Sequence, residues 1–160
     1  MSIPSHLSDY LDQRGTRYEI CTHGHSRSSA ETARSAHVPA GQLAKSVILE
    51  DETGCVMAVV PADKMVMLGE FSRLLGRHRL GLADEARVAA LFGDCEPGAI
   101  PPVGMAWGIE TIVDDELETS DVVYMEGGDH ERLLRMSREQ FHELMRAQPH
   151  GKFCKFPTEH

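Results

Sequence analysis

Apolar positions change their period several times along the chain, and each change marks an element. Leu7 and Leu11 lie one turn apart with Gly15 as a stop signal, which predicts a helix over residues 4–14. Tyr18, Ile20 and Thr22 alternate with polar neighbours, as in a strand. Ser28 and Glu31 form a capping box for a short helix that ends before Pro39. LAKSVILE (43–50) and CVMAVVP (55–61) are apolar runs separated by an ETG turn, so they read as a hairpin with a buried face. Met67, Phe71, Leu74 and Leu75 have helical spacing within residues 63–75, and Gly76 ends that helix. Leu80 and Leu82 suggest a short strand, and Asp84 caps a helix whose inner face is Val88, Leu91 and Phe92. GIETIVD (108–114) and DVVYME (121–126) read as strands, and ERLLRM pairs back after the Gly127–Gly128 turn. Ser137 and Gln140 open a last helix through Phe141, Leu144 and Met145. The tail PHGKFCKFPTEH has no period and is expected to be loose.

Irregular interleaving of strands and helices predicts an α+β fold: one domain over residues 1–150 with a mixed, mostly antiparallel sheet and surrounding helices, then a tail over 151–160. No repeat or low-complexity segment interrupts it. A length of 160 residues suits one domain with a substantial core. No apolar run reaches the ~20 residues of a membrane span, and the N-terminus lacks a signal-peptide pattern, which points to the cytoplasm and away from membranes. The four cysteines have no CxxC pair and are expected to be free thiols. The formal charge of −9 argues against binding driven mainly by phosphate neutralisation. Local basic groups remain: Arg73, Arg77, His78 and Arg79, and a C-terminal third carrying Arg132, Arg135, Arg138, Arg146, Lys152 and Lys155.

Candidate chemistry centres on FGDCEPGAIPPVGMAWG (92–108), where four glycines and three prolines share seventeen residues. Such a stretch reads as a surface loop, or as a stiff bracket that fixes backbone donors. Pro97, Pro101 and Pro102 have no N–H, so the donors in the bracket are Gly98, Ala99 and Ile100. Fixed donors of this kind suit a carbonyl oxygen that gains negative charge during acyl transfer. Lys45 is a lone charge within LAKSVIL: either a solvated strand residue or a pocket lysine that anchors a phosphate or polarises a carbonyl. Cys95 with a histidine would make a thiol hydrolase, but its surround matches no such family. THGH (22–25) with His37 could bind a metal, although surface histidines are the simpler reading. Asp114 ends an apolar strand, where a carboxylate could point into a site, whereas the acids that follow it read as a solvated turn.

Taken in order, these elements resemble the YbaK/EbsC family, the aminoacyl-tRNA deacylases related to the editing domain inserted in bacterial prolyl-tRNA synthetases. The resemblance spans roughly residues 5–147. It is carried by YEICTHGH ending at His25, LAKSVIL with Lys45, PGAIPPVG, IVD with Asp114, and MEGGD. PGAIPPVG corresponds to the family's GGxxPxG loop and places Gly98, Pro102 and Gly104 on its fixed positions. Ala99 replaces the second glycine of that loop, which bears on pocket size. The resemblance implies a free-standing hydrolase, with no metal or other cofactor, that removes a wrong amino acid from a tRNA 3′ end. By that reading the N–H groups of Gly98, Ala99 and Ile100 hold the ester carbonyl, and Lys45 holds the terminal phosphate or the aminoacyl group. His25, Pro102, Gly104 and Asp114 would shape the substrate site. The expected partner is misacylated tRNA, with an aminoacyl-tRNA synthetase as a further partner that could supply tRNA specificity. The alternative is a non-catalytic module that binds aminoacyl-tRNA or a nucleotide.

Overall fold

The computed structural model of the chain describes residues 3–157. Among these residues there are five α-helices: α1 (Ser5–Gln13), α2 (Ser29–Ala36), α3 (Leu68–Leu75), α4 (Glu85–Leu91) and α5 (Arg138–Met145). The strands are β1 (Glu19–Thr22), β2 (Leu43–Asp51), β3 (Gly54–Pro61), β4 (Met65–Val66), β5 (Gly81–Leu82), β6 (Glu110–Asp114), β7 (Val122–Glu126), β8 (Arg132–Ser137), β9 (His150–Gly151) and β10 (Cys154–Lys155). Caps read from the sequence form as expected. Ser28 Oγ accepts the Glu31 N–H at 3.2 Å, Asp84 Oδ1 the Arg87 N–H at 2.8 Å, and Ser137 Oγ the Gln140 N–H at 3.2 Å.

One mixed sheet runs in the order β1-β8-β7-β2-β3-β6-β9, with β5 beside β2. Pairing is antiparallel for β1 with β8, β7 with β8, and β2 with β3 and β5; it is parallel for β2 with β7, β3 with β6, and β6 with β9. β3 is central, and its apolar run is covered on both faces. Met57 and Val59 face the main core with Leu7, Leu11, Phe92 and Phe141, while Val56, Ala58 and Val60 face a second core with Phe71 and Phe153.

β2 sets up the site, because its outer edge changes partner part-way along. Leu43 and Ala44 pair with β7, and Leu49 and Glu50 pair with β5. Between these pairings the edge has no strand neighbour, and the proline-glycine loop lies there, with Ser46 Oγ donating to the Ile100 carbonyl at 3.1 Å.

Two expectations need correction. The helix predicted over residues 63–75 begins only at Leu68, because Met65 and Val66 pair with β10 instead. The tail packs into the fold through β9, Phe153 and β10, and its residues 158–160 lie outside the described residues. Phe153 is fully buried and stacks edge-on against Phe71 with centroids 4.8 Å apart, and its carbonyl accepts the Met67 N–H at 2.7 Å. A single aromatic anchor and two two-residue strands leave no period to read, so burial decides where the pattern is silent.

Candidate active site

The sequence 96–99 forms a tight turn. Ala99 N–H donates to the Glu96 carbonyl at 3.1 Å, Pro97 occupies the second position, and Gly98 occupies the third with φ +81°. These are the features of a type II turn, which needs a left-handed residue at its third position. The closing bond uses the Ala99 donor, so the bracket read from the sequence loses one of its three N–H groups. Gly98 and Ile100 donate to no acceptor among the described residues. Gly98 is exposed, whereas Ala99 to Gly104 are buried.

The loop is fastened from both sides. Glu96 N–H donates to the Gly128 carbonyl at 2.8 Å, which ties the turn to the β7–β8 connection. At the other end the Ser46–Ile100 bond ties it to β2. Gly104 allows close packing on β6: a Cβ there would lie 2.5 Å from Thr111 Oγ1. Pro102 and Gly104 thus act as buried supports of the loop and do not line an open surface.

His130 lies beneath the turn and was not singled out in the sequence. It is 4% exposed and sits in the left-handed region at φ +62°. Asp129 holds that backbone, since its Oδ1 accepts the N–H groups of Glu131 and Arg132 at 3.0 and 2.9 Å. His130 Nε2 is bonded to the Pro97 carbonyl. A carbonyl only accepts, so Nε2 carries the proton. A Cβ on Gly98 would lie 3.2 Å from His130 Cε1 and 3.0 Å from the Arg27 carbonyl oxygen. His25 packs edge-on against His130 with centroids 5.7 Å apart, and its Nε2 is 3.5 Å from Glu96 Oε2. His25 therefore lies beside the turn. Arg27 has no ion-pair partner among the described residues, in contrast to Arg77, Arg132, Arg135 and Arg138.

Glu126 lies below His130 and is 1% exposed. Burial pushes its carboxyl up from 4.5 to about 7, with the Thr32 hydroxyl holding it back and Asp129 adding to the rise. The folded state keeps a proton that the unfolded chain releases near 4.5. Stability from this group is therefore greatest at low pH and is lost as pH rises towards about 7. Glu126→Gln is expected to be the more stable protein at pH 8, by on the order of 1–3 kcal/mol, and to flatten the fall in Tm between pH 5 and 8. Thermal unfolding of both proteins across that range checks it.

Lys45 does not meet the turn directly. Strand alternation puts Ser46 on the loop side and Lys45 on the opposite face. There it falls between Leu43, in the small core with Ala33, and Leu49, in the core with Phe71. Its Nζ donates to the Ala62 carbonyl at 3.4 Å. Burial lowers its pKa from the usual lysine value, with Asp63 pulling the other way. Asp114 is also separate. Its Oδ1 accepts the Glu116 N–H at 2.9 Å and its Oδ2 the Phe153 N–H at 2.8 Å, so it caps one turn and anchors the C-terminal segment.

A largely apolar pocket of about 260 Å³ adjoins the turn, lined by Val88, Phe92, Cys95, Gly98 and Ile100 among others. Burial and the Asp94 carboxylate push the Cys95 thiol up to about 12, so it holds almost no thiolate at neutral pH. Cys95→Ser is accordingly expected to leave hydrolytic activity within about threefold of the parent in a steady-state assay. A larger groove of about 390 Å³ between α1 and α5 lacks both the turn and the histidines.

The sequence matches the aminoacyl-tRNA editing domain over residues 23–144, a span that holds the turn, both histidines, Lys45 and Glu126. The chain belongs to the aminoacyl-tRNA editing domain family. Among solved structures, this editing domain is similar to hypothetical protein APE2540 at 25% identity and a TM-score of 0.82, covering 94% of this chain and 99% of that one. It is also similar to a protein described as a candidate trans-editing enzyme for prolyl tRNA synthetase, at 25% identity and TM-score 0.79, covering 95% and 96% of the two chains. A protein described as a candidate signal transduction protein of Marinobacter aquaeolei VT8 shares the fold at 22% identity and TM-score 0.73, the match covering 96% of this chain and 31% of that longer one. No curated protein matches the sequence. No helix among the described residues is long and apolar enough to cross a membrane.

Proposed function

We propose that this editing domain is a hydrolase acting in trans on misacylated tRNA, cleaving the ester between a wrong amino acid and the 3′ ribose. The observation that carries this reading is the exposed Gly98 of the turn, whose N–H, like that of the buried Ile100 two residues on, has no acceptor among the described residues. An ester carbonyl seated there would gain two fixed donors as its oxygen becomes negative, with no reorganisation at the moment of reaction. The adjoining 260 Å³ pocket is largely apolar and offers room for the amino-acid side chain, and Ala99 is buried within the loop's support. Selection by volume is weak, at ~1–3 kcal/mol per methylene, which is why a second sieve suits small side chains.

Arg27, beside the turn, offers a charge for the acceptor-end phosphates. Lys45 is the second candidate. Its bond to Ala62 is long, so a phosphate of the tRNA can replace it at little cost. The resemblance of YEICTHGH, LAKSVIL and PGAIPPVG to the deacylases supports the same assignment. Apart from His25, which is exposed at the turn beside Glu96, a hydroxyl of the ribose or a group of the substrate is left to direct the attacking water. Tests with misacylated tRNA and Lys45→Ala follow from this: the variant should keep its Tm within a few degrees and lose roughly 100-fold or more in single-turnover hydrolysis. Unchanged hydrolysis by the folded variant removes Lys45 from the mechanism.

A further inference from the structure

His130 uses only one of its ring nitrogens in the bond to Pro97. The other, Nδ1, is buried and has no hydrogen-bond partner among the described residues. Both carboxyl oxygens of Glu126 are in the same condition, and Glu126 Oε2 lies 3.9 Å from His130 Nδ1. Three buried, unpartnered polar atoms facing one another would cost stability unless they exchange a proton.

We propose that Glu126 is a positioning residue that acts through His130. It shares one proton with His130 Nδ1 and thereby keeps Nε2–H aimed at the Pro97 carbonyl, which holds the Gly98 turn. The inference rests on reading that turn as the carbonyl clamp. The proton count follows from the bond to Pro97. With Nε2 protonated, Nδ1 of a neutral ring is a lone pair and needs a donor, which a protonated Glu126 supplies. Moving that proton to Nδ1 gives an imidazolium against a carboxylate, with the same total charge. Removing it leaves a carboxylate facing a lone pair. The ring then relieves the clash by carrying its proton on Nδ1, which strips the donor from Nε2 and releases Pro97. A raised Glu126 carboxyl agrees with this placement.

Other charges around the pair are few. Asp129 adds negative potential but is paired with Arg132. His25 meets the outer edge of the His130 ring and carries Glu96 beside it. The Thr32 hydroxyl is bonded to Ser26 Oγ at 2.5 Å and also lies close enough to Glu126 to favour its charged form. None of these reaches Nδ1 within hydrogen-bond distance; Glu126 Oε2, at 3.9 Å, is the carboxylate facing it and shares the proton once the two approach by roughly 1 Å.

The test combines long-range proton–nitrogen NMR of the His130 ring, assigned by its loss in His130→Gln, with single-turnover hydrolysis of misacylated tRNA. In the parent protein, Nε2 should carry the proton below neutrality, with a change of tautomer as pH rises. Glu126→Leu should show mixed tautomers at all pH values, with the single-turnover rate constant down about 10-fold or more and the half-saturating protein concentration little changed. Glu126→Gln should keep the Nε2–H form at every pH, because its amide donates to Nδ1, and should rescue most of the rate while abolishing the pH step. If Glu126→Leu is unfolded, Glu126→Gln decides alone: a tautomer step identical to the parent's overturns the proposal. Parental tautomer and rate in folded Glu126→Leu overturn it as well. If the parent hydrolyses no aminoacyl-tRNA, the functional reading fails, and the NMR comparison still decides the role of Glu126.

Discussion

Gly98→Val is expected to abolish hydrolysis of misacylated tRNA. Gly98 adopts φ +81°, where a β-branched residue is strained by roughly 1–3 kcal/mol. Its new Cβ would press on the Arg27 carbonyl at 3.0 Å and the His130 ring at 3.2 Å. Neither neighbour yields easily. Arg27 O is backbone, and the His130 ring is held by Pro97 on one side and by a buried pocket on the other. The turn must open or shift, and the Gly98 and Ile100 donors shift with it. Losing one oxyanion donor costs about 10²–10³ in rate, so a displaced turn should lose at least that much. Single-turnover kinetics alongside thermal unfolding separate this from global unfolding, because the strain is a small part of a domain's stability.

Phe153→Ala should give the largest loss of stability. The ring is fully buried against Phe71, and the same residue's N–H and C=O fasten Asp114 and Met67. Truncating such a side chain costs about 3–5 kcal/mol. For a chain of this size that corresponds to a Tm lowered by on the order of 10 °C. Thermal denaturation followed by circular dichroism reads it directly. A change under 1 kcal/mol would mean that the C-terminal segment does not complete the second core.

Both residues show what the sequence could and could not reveal. Local rules carried far. Three caps, the β2–β3 hairpin and the return of β8 onto β7 follow from spacing within a few residues. The central strand read as unbroken apolar sequence because it is covered on both faces. Phe153 was invisible for the opposite reason: one anchor residue in a short extended segment has no period. Non-local proton geometry was hidden too. His130 stood beside the recognised MEGGD, yet its bond to Pro97 spans 33 positions, and only the fold brings the two together. The Ala99 donor was over-counted because a turn's closing bond is a matter of geometry and not of composition. Asp114 and Lys45 carry opposite lessons. A buried carboxylate proved to be occupied by backbone donors, and a strand lysine lies one residue from the loop but on the other face of β2.

A panel of tRNAs, each charged with one small amino acid and incubated with the purified protein, tests the central claim most directly. The account predicts release of at least one mischarged amino acid far above the spontaneous rate, and predicts that the same release disappears in Gly98→Val. Binding of these tRNAs with no release of any amino acid would contradict a hydrolase and leave a module that only recognises the charged end.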